Sequence, residues 1–554
     1  MLNKKTSLII LMGILGLALV LRAHNLGGPD FGPDEVFHVF AAQSVQQGQG
    51  LILPSGFTYK RAALYTYTVA GFTGLLGFNE ATARIASVFF SLLSLLVLYF
   101  LVKIHFDTKA ALWTIFFAAL IPMEIAMSRE VRMYSMFEFF YLLTLLLFFS
   151  GFEAKSVLPI EQRFYTLNFR NWCERFQISP ILLLSSATSA LIALHAHSLT
   201  AVGLSGVFTY ILVMAIAVSM RSYPWLLRSK YYVVVGLAII SLMILVIFLK
   251  NLWMEFRELA QYAPNWAKNG TMEWKYYRNL LATDLPTIFG GLFISLVYCF
   301  TRRIKITLFL SLCFLAPFIL HSTVFAWKAE RYIFYVVPLL VIFFGVSFSP
   351  LMDYLFHSLA NSLKNFFSTR LAHALSFFTL STAVFFFLIN TPWFIPALKL
   401  SKNEIISDYG VSHNHWRTTL DYVKQRSNAQ HVLVSTFPLI ALYYAPEYRN
   451  IYHLNDFAVD IMQKVNLRDK QGRLIDYGSG AVILADISML KEVMNKYPCG
   501  WFITEKHRYE NTLAFPKELA PLLSSQFSRH EVPLAPDMLL WQWPARANQT
   551  KTCE

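Results

Sequence analysis

Charged residues are scarce in this chain. Only 14% of its 554 residues are Asp, Glu, Lys or Arg, whereas 56% are hydrophobic and 16% are aromatic. The mean hydropathy of +0.47 lies outside the range expected of a soluble enzyme. Apolar runs of about 20 residues, the length needed to cross a hydrocarbon core of about 30 Å, recur along most of the chain. The composition therefore excludes an ordinary soluble protein and predicts a polytopic helical membrane protein.

Cysteine is also rare, and its spacing carries no zinc or redox motif. The five cysteines include no CxxC pair, and a disulfide between Cys499 and Cys553 requires that their domain face an oxidising compartment. Basic residues outnumber acidic ones, 47 to 33, yet no recognisable nucleic-acid-binding module is present. The positive charge instead predicts basic cytoplasmic loops and contact with anionic membrane lipid, with no nucleic acid as partner.

The apolar runs predict about 11 transmembrane helices. An odd number of spans puts the two termini on opposite sides of the membrane, and the basic clusters between spans then share the side of Lys4 and Lys5, as the positive-inside rule requires. We therefore expect a multi-pass protein of the inner (plasma) membrane with a cytoplasmic N-terminus and an extracytoplasmic C-terminal domain. The predicted spans are 7–22, 83–102, 110–127, 133–152, 179–196, 199–220, 231–250, 285–301, 306–323, 332–350 and 372–394.

One apolar stretch, 62–78, is short for a span and rich in glycine, threonine and tyrosine, so we interpret it as an interfacial helix on the outer surface. From 395 onwards, short amphipathic helices alternate with short apolar strands, which we expect at "HVLVS", "AVILAD", "GWFIT" and "MLLWQW". The predicted fold class is an all-α polytopic membrane domain over 1–394, with a large first outer loop at 23–82, followed by a soluble α/β domain over 395–554. The "GSG" at 478–480 is predicted to be a turn.

Two adjacent carboxylates, Asp34 and Glu35, follow the first span in "FGPDEVFHVF". A carboxylate at the mouth of an apolar cavity can take the proton of an attacking hydroxyl if desolvation brings its pKa towards working pH. The alternative is structural: Asp34 caps the following helix, and Glu35 in the first turn is favoured by the helix dipole. The dipeptide alone leaves both interpretations open.

Three outer segments, 23–82, 251–284 and 321–335, are rich in basic and aromatic residues. Outer loops have no topological reason to carry so many cations, so positive charge at headgroup depth suggests an anionic ligand that arrives through the bilayer. A lipid phosphate fits, because Lys and Arg bind phosphate oxygens through charge-assisted hydrogen bonds. A carboxylate and such cations would together suit glycosyl transfer from a lipid-phosphate donor.

Four ordered motifs, "PDE", "YKRAALYTY", the stretch from "NEATARIAS" to "MSREVRMYSMF", and "ERYIFYVVPLL", resemble the GT-C glycosyltransferases that use polyprenyl-phosphate sugars. These include the protein O-mannosyltransferases and the lipid A aminoarabinose transferases. The resemblance covers 30–152 well and 325–350 moderately, and no motif of the C-terminal domain transfers. It implies an inverting transferase that moves a sugar from a polyprenyl phosphate to an acceptor lipid, glycan or protein.

The resemblance assigns roles by position. It makes Asp34 the catalytic carboxylate and Glu35 its support or an acceptor ligand. The family's Lys-Pro-Pro-Leu-Tyr stretch falls on Lys60 to Tyr65, so Lys60 would bind the donor phosphate, and Arg61, which replaces a proline, would share that role. Arg331 would be a second phosphate ligand. The sugar phosphate would lie between Asp34 and these cations, and the predicted substrate-pocket residues are His38, Tyr65, Arg84, Arg129, Arg132 and Tyr332.

Several of these residues have a structural alternative. Arg84 and Glu80 are spaced for an i,i+4 helix pair, and Arg129, Glu130 and Arg132 could form a solvated loop held by mutual ion pairs. Glu138, inside the fourth span, is costly there unless it is paired or hydrated. No cofactor is required, and two adjacent carboxylates are too few ligands to indicate a divalent metal.

Other function classes compete with the enzyme. A transporter or flippase for a lipid-linked anionic solute would explain the spans and the outer cations, but it predicts internal repeats and ionisable residues near the bilayer midplane, and the sequence shows little of either. A glycan-binding envelope protein would need only one span as an anchor. Within the enzyme class, an oligosaccharide ligase with a diphosphate-linked donor is a further alternative.

Overall fold

The structure is a computed structural model. It describes residues 3–154, 161, 166–221, 230, 236, 274–325, 328–403, 413–427, 431–455, 459, 463, 467–510, 515 and 518–543. Almost all of the predicted span 231–250 and most of the outer segment 251–284 lie outside these ranges.

Seventeen helices precede the C-terminal α/β region in the described part of the chain. Seven of these helices, or eight if one bent pair counts as a single span, are long and apolar enough to cross a membrane. All seventeen α-helices follow in chain order. They are α1 (Lys4–Ala23), α2 (Glu35–Gln46), α3 (Ala63–Leu76), α4 (Glu80–His105), α5 (Thr108–Ala119), α6 (Pro122–Ser128), α7 (Tyr134–Phe152), α8 (Leu167–Phe176), α9 (Pro180–Ala196), α10 (Leu199–Arg221), α11 (Tyr276–Asp284), α12 (Pro286–Gly290), α13 (Leu292–Arg302), α14 (Ile304–Thr323), α15 (Val337–Leu363), α16 (Thr369–Ile389) and α17 (Phe394–Ser401).

The predicted fold class is confirmed: the protein is a multi-pass helical membrane protein with a mixed sheet in its C-terminal region. The helices differ from the predicted spans mainly at breaks. The span predicted at 110–127 is two helices, α5 and α6, bent by 67°, because Pro122 starts a new helix after a non-helical residue. The span predicted at 285–301 is likewise divided into α12 and α13 around Gly291.

The stretch 62–78 forms α3, with 14 residues. A helix of that length is about 21 Å long, shorter than the hydrocarbon core, so it fits the prediction of a helix that does not cross. Its location at the membrane surface stays a prediction.

The C-terminal region is a six-stranded sheet with strand order β3-β2-β1-β4-β6-β5. The strands β1 to β4 pair in parallel, and β6 pairs antiparallel with β4 and β5. The elements are α18 (Trp416–Lys424), β1 (Val432–Ser435), α19 (Pro438–Tyr444), β2 (Ile451–His453), β3 (Val482–Ile483), α20 (Ile487–Lys496), β4 (Gly500–Glu505), α21 (Lys506–Glu510), α22 (Leu519–Gln526), β5 (Ser528–His530) and β6 (Met538–Trp543).

The central strands of this sheet are buried along their whole length because both of their faces are covered. Every residue of β1 and of β4 is buried, which is the pattern of a parallel sheet packed on two sides. The strands predicted at "HVLVS", "AVILAD", "GWFIT" and "MLLWQW" and the turn at 478–480 are confirmed. The short strands β2 and β5 were not predicted, since three residues carry little periodicity.

The chain divides into two compact units. The first comprises Met1–His24, Ser87–Arg129 and Met133–Gly410; the second comprises Asn25–Ala86, Glu130–Arg132 and Val411–Glu554. The second unit therefore contains the segment around Asp34 and Glu35 and the helix α3 in addition to the sheet. The domain boundary predicted from the sequence, between residues 394 and 395, stays a prediction. Cys499 is disulfide-bonded, and Cys553 lies outside the described residues.

Close helix packing in the first unit depends on small residues. Gly206 of α10 lies against α14, where a Cβ atom would come within 2.3 Å of the Cys313 Cα and 2.8 Å of the Leu312 carbonyl oxygen. Both neighbours are backbone atoms and have little room to move. In lipid, where apolar side chains gain little from leaving the bilayer, such close backbone approach is a main source of helix association.

We expect Gly206→Ala to destabilise the first unit by about 1–3 kcal/mol, because the methyl group forces α10 and α14 apart. The measurement is the thermal unfolding midpoint of the detergent-solubilised protein. The matched control is Gly16→Ala in α1, where no atom lies within 4 Å of the new Cβ and the higher helix propensity of alanine adds stability. Equal midpoints for the two variants would contradict the packing argument.

Candidate functional site: the acidic loop of the second unit

The Glu35 carboxylate is completely buried and fully hydrogen-bonded. Arg84 donates from Nε to Oε1 at 3.0 Å and from Nη2 to Oε2 at 2.8 Å, and both side chains have 0% exposure. The backbone N–H groups of Gly32 and Val131 donate at 2.8 and 2.7 Å. Four donors satisfy both carboxylate oxygens, which a buried charge requires.

Arg84 also fixes the loop that precedes the acid pair. Its guanidinium donates to the carbonyl oxygens of Leu26 and Pro29 at 2.9 Å each and of Asp30 at 3.0 Å. The predicted alternative, an i,i+4 pair of Arg84 with Glu80, is wrong, because the guanidinium has turned to Glu35. The loop from Leu26 to Glu35, which we call the acidic loop, is therefore wrapped around one arginine.

The buried pair keeps Glu35 ionised. Burial by itself raises the pKa of Glu35, but the charge and hydrogen bonds of Arg84 outweigh it, and the pKa lies below its ordinary value. A carboxylate with a lowered pKa and four hydrogen bonds is a poor proton acceptor. The arrangement gives Glu35 a structural role in the loop, and its predicted role as support of Asp34 or as an acceptor ligand stays a prediction.

Asp34 is exposed, in contrast to its neighbour Glu35. Its side chain is 55% exposed, and its ion-pair partner is Arg132, which is 5% exposed. Asp34 occupies the N-cap position of α2 but makes no side-chain capping hydrogen bond, so the capping interpretation is wrong. The exposed carboxylate has room to meet a hydroxyl group. The desolvation of Asp34 that the sequence led us to expect is not seen.

The segment that carries Arg132 is buried rather than solvated. Arg129, Glu130 and Arg132 have relative exposures of 7%, 2% and 4%, so the interpretation as a solvated loop is wrong. In the first unit, Arg129 donates to the carbonyl oxygens of Arg22 and His24 and to the side chain of Asn403. Those hydrogen bonds give Arg129 a structural role.

His413 joins the acid cluster from the C-terminal region. Its Nδ1 lies 2.7 Å from the Asp30 carbonyl oxygen, and its Nε2 lies 2.8 Å from the Glu130 carboxylate. Burial lowers the pKa of the imidazole, but the charges of Glu130 and Glu35 outweigh it, so the pKa lies above its ordinary value. Burial in turn raises the pKa of Glu130.

Glu35, Glu130 and His413 are the one group of metal-ligand residue types that come together within the described ranges, with their ligand atoms within 4.8 Å of one another. Arg84 already holds both oxygens of Glu35, and His413 holds Glu130. A cation would have to displace these bonds. Whether the protein uses a divalent metal stays a prediction.

His38 and Tyr65 form a buried layer beside the acidic loop, with 0% exposure each. The His38 Nδ1 lies 2.8 Å from the Thr66 hydroxyl, its Nε2 lies 3.3 Å from the Tyr59 hydroxyl, and its ring meets the Tyr65 ring edge to face at 5.1 Å. Burial and then the charge of Arg61 lower the pKa of His38 to about 3, so the imidazole is neutral. Lys60 and Arg61 are exposed at the start of α3.

Arg331 and Tyr332 lie in the first unit, in a single helical turn, with the guanidinium 5.6 Å from the ring centroid. The neighbouring Lys328 is used structurally: its ammonium group donates to the carbonyl oxygens of His321, Ser322 and Phe325 at the C-terminal end of α14. Such a cap is favoured by the helix dipole.

A second buried polar cluster lies among the helices of the first unit. Arg22 donates to the Ser91 hydroxyl at 2.8 Å and to the Ala119 carbonyl at 3.0 Å, and its charge acts on the buried Glu124 and Glu138. Glu138 therefore has an arginine as a nearby counter-charge, which lowers the cost of its place in a span.

Sequence reasoning missed the contribution of the C-terminal region to the acidic loop. Arg417 donates its backbone N–H to the Asp30 carboxylate at 2.8 Å and its guanidinium to Glu80, and Glu80 also accepts from the Tyr444 hydroxyl at 3.0 Å. The signal was the "HNHWR" run, in which His413 and Arg417 lie four residues apart. No local pattern links that run to a loop almost 400 positions earlier.

The family model described as dolichyl-phosphate-mannose-protein mannosyltransferase matches residues 60–160. Among solved structures, ArnT from Cupriavidus metallidurans in the apo state is 14% identical, with a TM-score of 0.57 over 97% of both chains. The same protein bound to undecaprenyl phosphate is 15% identical, with a TM-score of 0.56 over 96% of this chain and 97% of that one.

Archaeal oligosaccharyltransferase AglB from Archaeoglobus fulgidus, in complex with an inhibitory peptide and a dolichol-phosphate, is 12% identical, with a TM-score of 0.55 over 98% of this chain and 74% of that one. No curated protein sequence matches the chain. These likenesses establish the fold, and they confirm the predicted resemblance to the GT-C glycosyltransferases at that level.

We expect Arg84→Met to destabilise the second unit by about 3–5 kcal/mol, because it leaves a buried carboxylate without its counter-charge. Glu35→Gln should cost less, since Arg84 keeps its three carbonyl acceptors. The measurement is the thermal unfolding midpoint in detergent. The control is Arg170→Met, which breaks an exposed i,i+4 pair with Glu174 and should change stability by at most about 0.5 kcal/mol. A similar effect of both arginine substitutions would refute the anchoring role.

Proposed function

We propose that the protein is a membrane glycosyltransferase that transfers a sugar from a polyprenyl-phosphate donor to an acceptor lipid, glycan or protein outside the cytoplasm, with inversion at the anomeric carbon. The observation that supports this proposal is that two adjacent carboxylates of the acidic loop have different environments. Glu35 is buried and its charge is balanced by Arg84, whereas the adjacent Asp34 is held by the same loop with more than half of its side chain exposed.

Similarity of fold supports the choice of donor. The structures of ArnT with undecaprenyl phosphate and of AglB with a dolichol-phosphate show that proteins of this fold bind polyprenyl phosphates. The mannosyltransferase model covers the segment from Lys60 through Arg132. We accordingly propose the inner (plasma) membrane as the location, with the N-terminus cytoplasmic and the C-terminal domain extracytoplasmic.

In the proposed reaction, the acceptor hydroxyl gives its proton to Asp34 as its oxygen attacks the anomeric carbon. The new C–O bond forms on one face of the sugar while the C–O bond to the phosphate breaks on the other, and the lipid phosphate leaves with the bonding electrons. Lys60, Arg61 and Arg331 are the proposed ligands of this phosphate, which positive charge stabilises as it departs. His38, Tyr65, Arg84, Arg129, Arg132 and Tyr332 stay predicted pocket residues, and no step needs a metal ion.

A transporter or flippase is the second candidate, and one observation favours it. The cluster of Arg22, Glu124 and Glu138 puts ionisable groups inside the helical bundle, which this class predicts. Transport requires no proton acceptor at Asp34, so substitution of that residue separates the two candidates.

We expect Asp34→Asn to reduce sugar transfer by about 10²–10⁴-fold, the usual contribution of a general base, because the amide cannot accept the proton. Membranes that contain the protein are incubated with a panel of radiolabelled polyprenyl-phosphate sugars, and label leaving the lipid is counted. The matched control is Asp421→Asn, which replaces a 51% exposed carboxylate in a surface pair with Lys424. Full transfer by Asp34→Asn would remove this carboxylate from the mechanism.

We expect Lys60→Ala, Arg61→Ala and Arg331→Ala to weaken donor use by about 10–100-fold, the effect of losing one charge-assisted hydrogen bond worth about 1.5–3 kcal/mol. The readout is the KM for the donor and the inhibition constant of the free polyprenyl phosphate, which should rise together. Lys470→Ala, a substitution of another exposed lysine of the second unit, is the control. An unchanged donor KM in a variant would remove that residue from the phosphate site.

A further inference from the structure

The acidic loop and the segment 130–132 are joined by three consecutive contacts. Glu130 reaches the loop through His413, the Val131 N–H donates to Glu35, and Arg132 pairs with Asp34. Because the three residues are adjacent in the chain, their backbone cannot shift at one contact without disturbing the other two. The position of the Arg132 guanidinium, and with it that of Asp34, is therefore coupled to the bond between His413 and Glu130.

The hydrogen-bond partners of His413 favour a charged ring. A carbonyl oxygen only accepts, so the Nδ1 that faces Asp30 at 2.7 Å carries a proton. The Nε2 faces the Glu130 carboxylate at 2.8 Å, and Glu35 Oε2 lies 3.6 Å from Nδ1. One carboxylate near each ring nitrogen favours the imidazolium form, in which both nitrogens donate.

The charges that face the imidazole are Glu130, Glu35 and Arg84. Arg84 is already paired with Glu35, so Glu130 is the carboxylate that His413 must balance. If the imidazole loses its Nε2 proton, a lone pair faces the Glu130 oxygen and the attraction becomes a repulsion. The contact that links the loop to 130–132 is then broken.

We propose that His413 is a positioning residue which, in its imidazolium form, clamps Asp30 to Glu130 and thereby holds Asp34 and Arg132 in the geometry for transfer. This inference rests on the proposed function. The C-terminal region thus completes the acceptor side of the site, and its Arg417 reinforces the clamp by binding the Asp30 carboxylate of the same loop.

The clamp predicts a defined pH dependence. The pKa of His413 is raised above its ordinary value of 6.5, so the imidazolium contribution to the clamp is complete below that value and is lost as the pH rises through the raised pKa. Both kcat and the stability of the second unit should therefore decline on the alkaline side. The carboxylates act in the opposite direction. Burial raises the pKa of Glu130, so the clamp is also lost as the pH falls through that pKa, whereas the lowered pKa of Glu35 means that its contribution is lost only in stronger acid.

The test compares pH profiles of kcat for the full-length wild type, His413→Gln and Glu130→Gln. The glutamine amide at 413 can donate to Glu130 but does not titrate, so this variant should lack the alkaline decline and show about a tenfold lower kcat near neutral pH, with the donor KM within twofold of wild type. Glu130→Gln removes the carboxylate that stabilises the imidazolium, so its alkaline decline should move to lower pH.

The control is His415→Gln, because His415 pairs with Asp537 at 2.6 Å and should keep the wild-type profile. A merely structural His413 would lower the amount of folded protein and leave the kcat profile of the folded fraction unchanged. An alkaline decline that persists in His413→Gln, or that does not move in Glu130→Gln, would overturn the proposal.

A second measurement needs no substrate. The thermal midpoint of the detergent-solubilised wild type should fall as the pH rises above the pKa of His413, and His413→Gln should lack that fall. Failure of the wild type to transfer any sugar would overturn the proposed function alone, and the thermal profile would still decide whether the clamp exists. A thermal profile shared by wild type and His413→Gln would overturn the clamp.

Discussion

The buried ion pair of Glu35 and Arg84 organises the second unit. A carboxylate and a guanidinium without solvent contact are stable together only when every remaining donor and acceptor is satisfied. Here, three loop carbonyls and two backbone N–H groups complete the pair. The conformation of the acidic loop therefore follows from the needs of one charge pair, and the exposed Asp34 is held in place as the next residue.

Two neighbouring carboxylates have different environments because of this pair. The helix α2 begins at Glu35 and turns that side chain towards Arg84, whereas Asp34, one position earlier, points to Arg132 and solvent. A site that needs one reactive and one structural acid can be built from two adjacent residues in this way, since consecutive side chains leave the backbone in different directions.

The sheet of the second unit contributes to this loop through the segment that enters it. Strand β1 has β2 on one side and β4 on the other, which creates a switch point at the carboxyl ends of β1 and β4. Glu505, the last residue of β4, accepts from Asn414, the residue after His413. His413 is therefore held, through the adjacent Asn414, next to the carboxyl ends of the strands, where open α/β sheets usually bind ligands.

The sequence alone determined the fold class, most of the spans and the principal strands, because hydrophobic periodicity is a local property. The acid pair Asp34 and Glu35 is equally local, and its role in the reaction stays a prediction. It did not determine that Arg84 turns to Glu35 instead of Glu80, that the segment from Glu130 to Arg132 is buried, or that His413 closes the cluster. Those contacts join residues that are 49 to 283 positions apart. Only the tertiary structure decides them, because the energy of a buried charge depends on which partners the whole chain brings within hydrogen-bond distance.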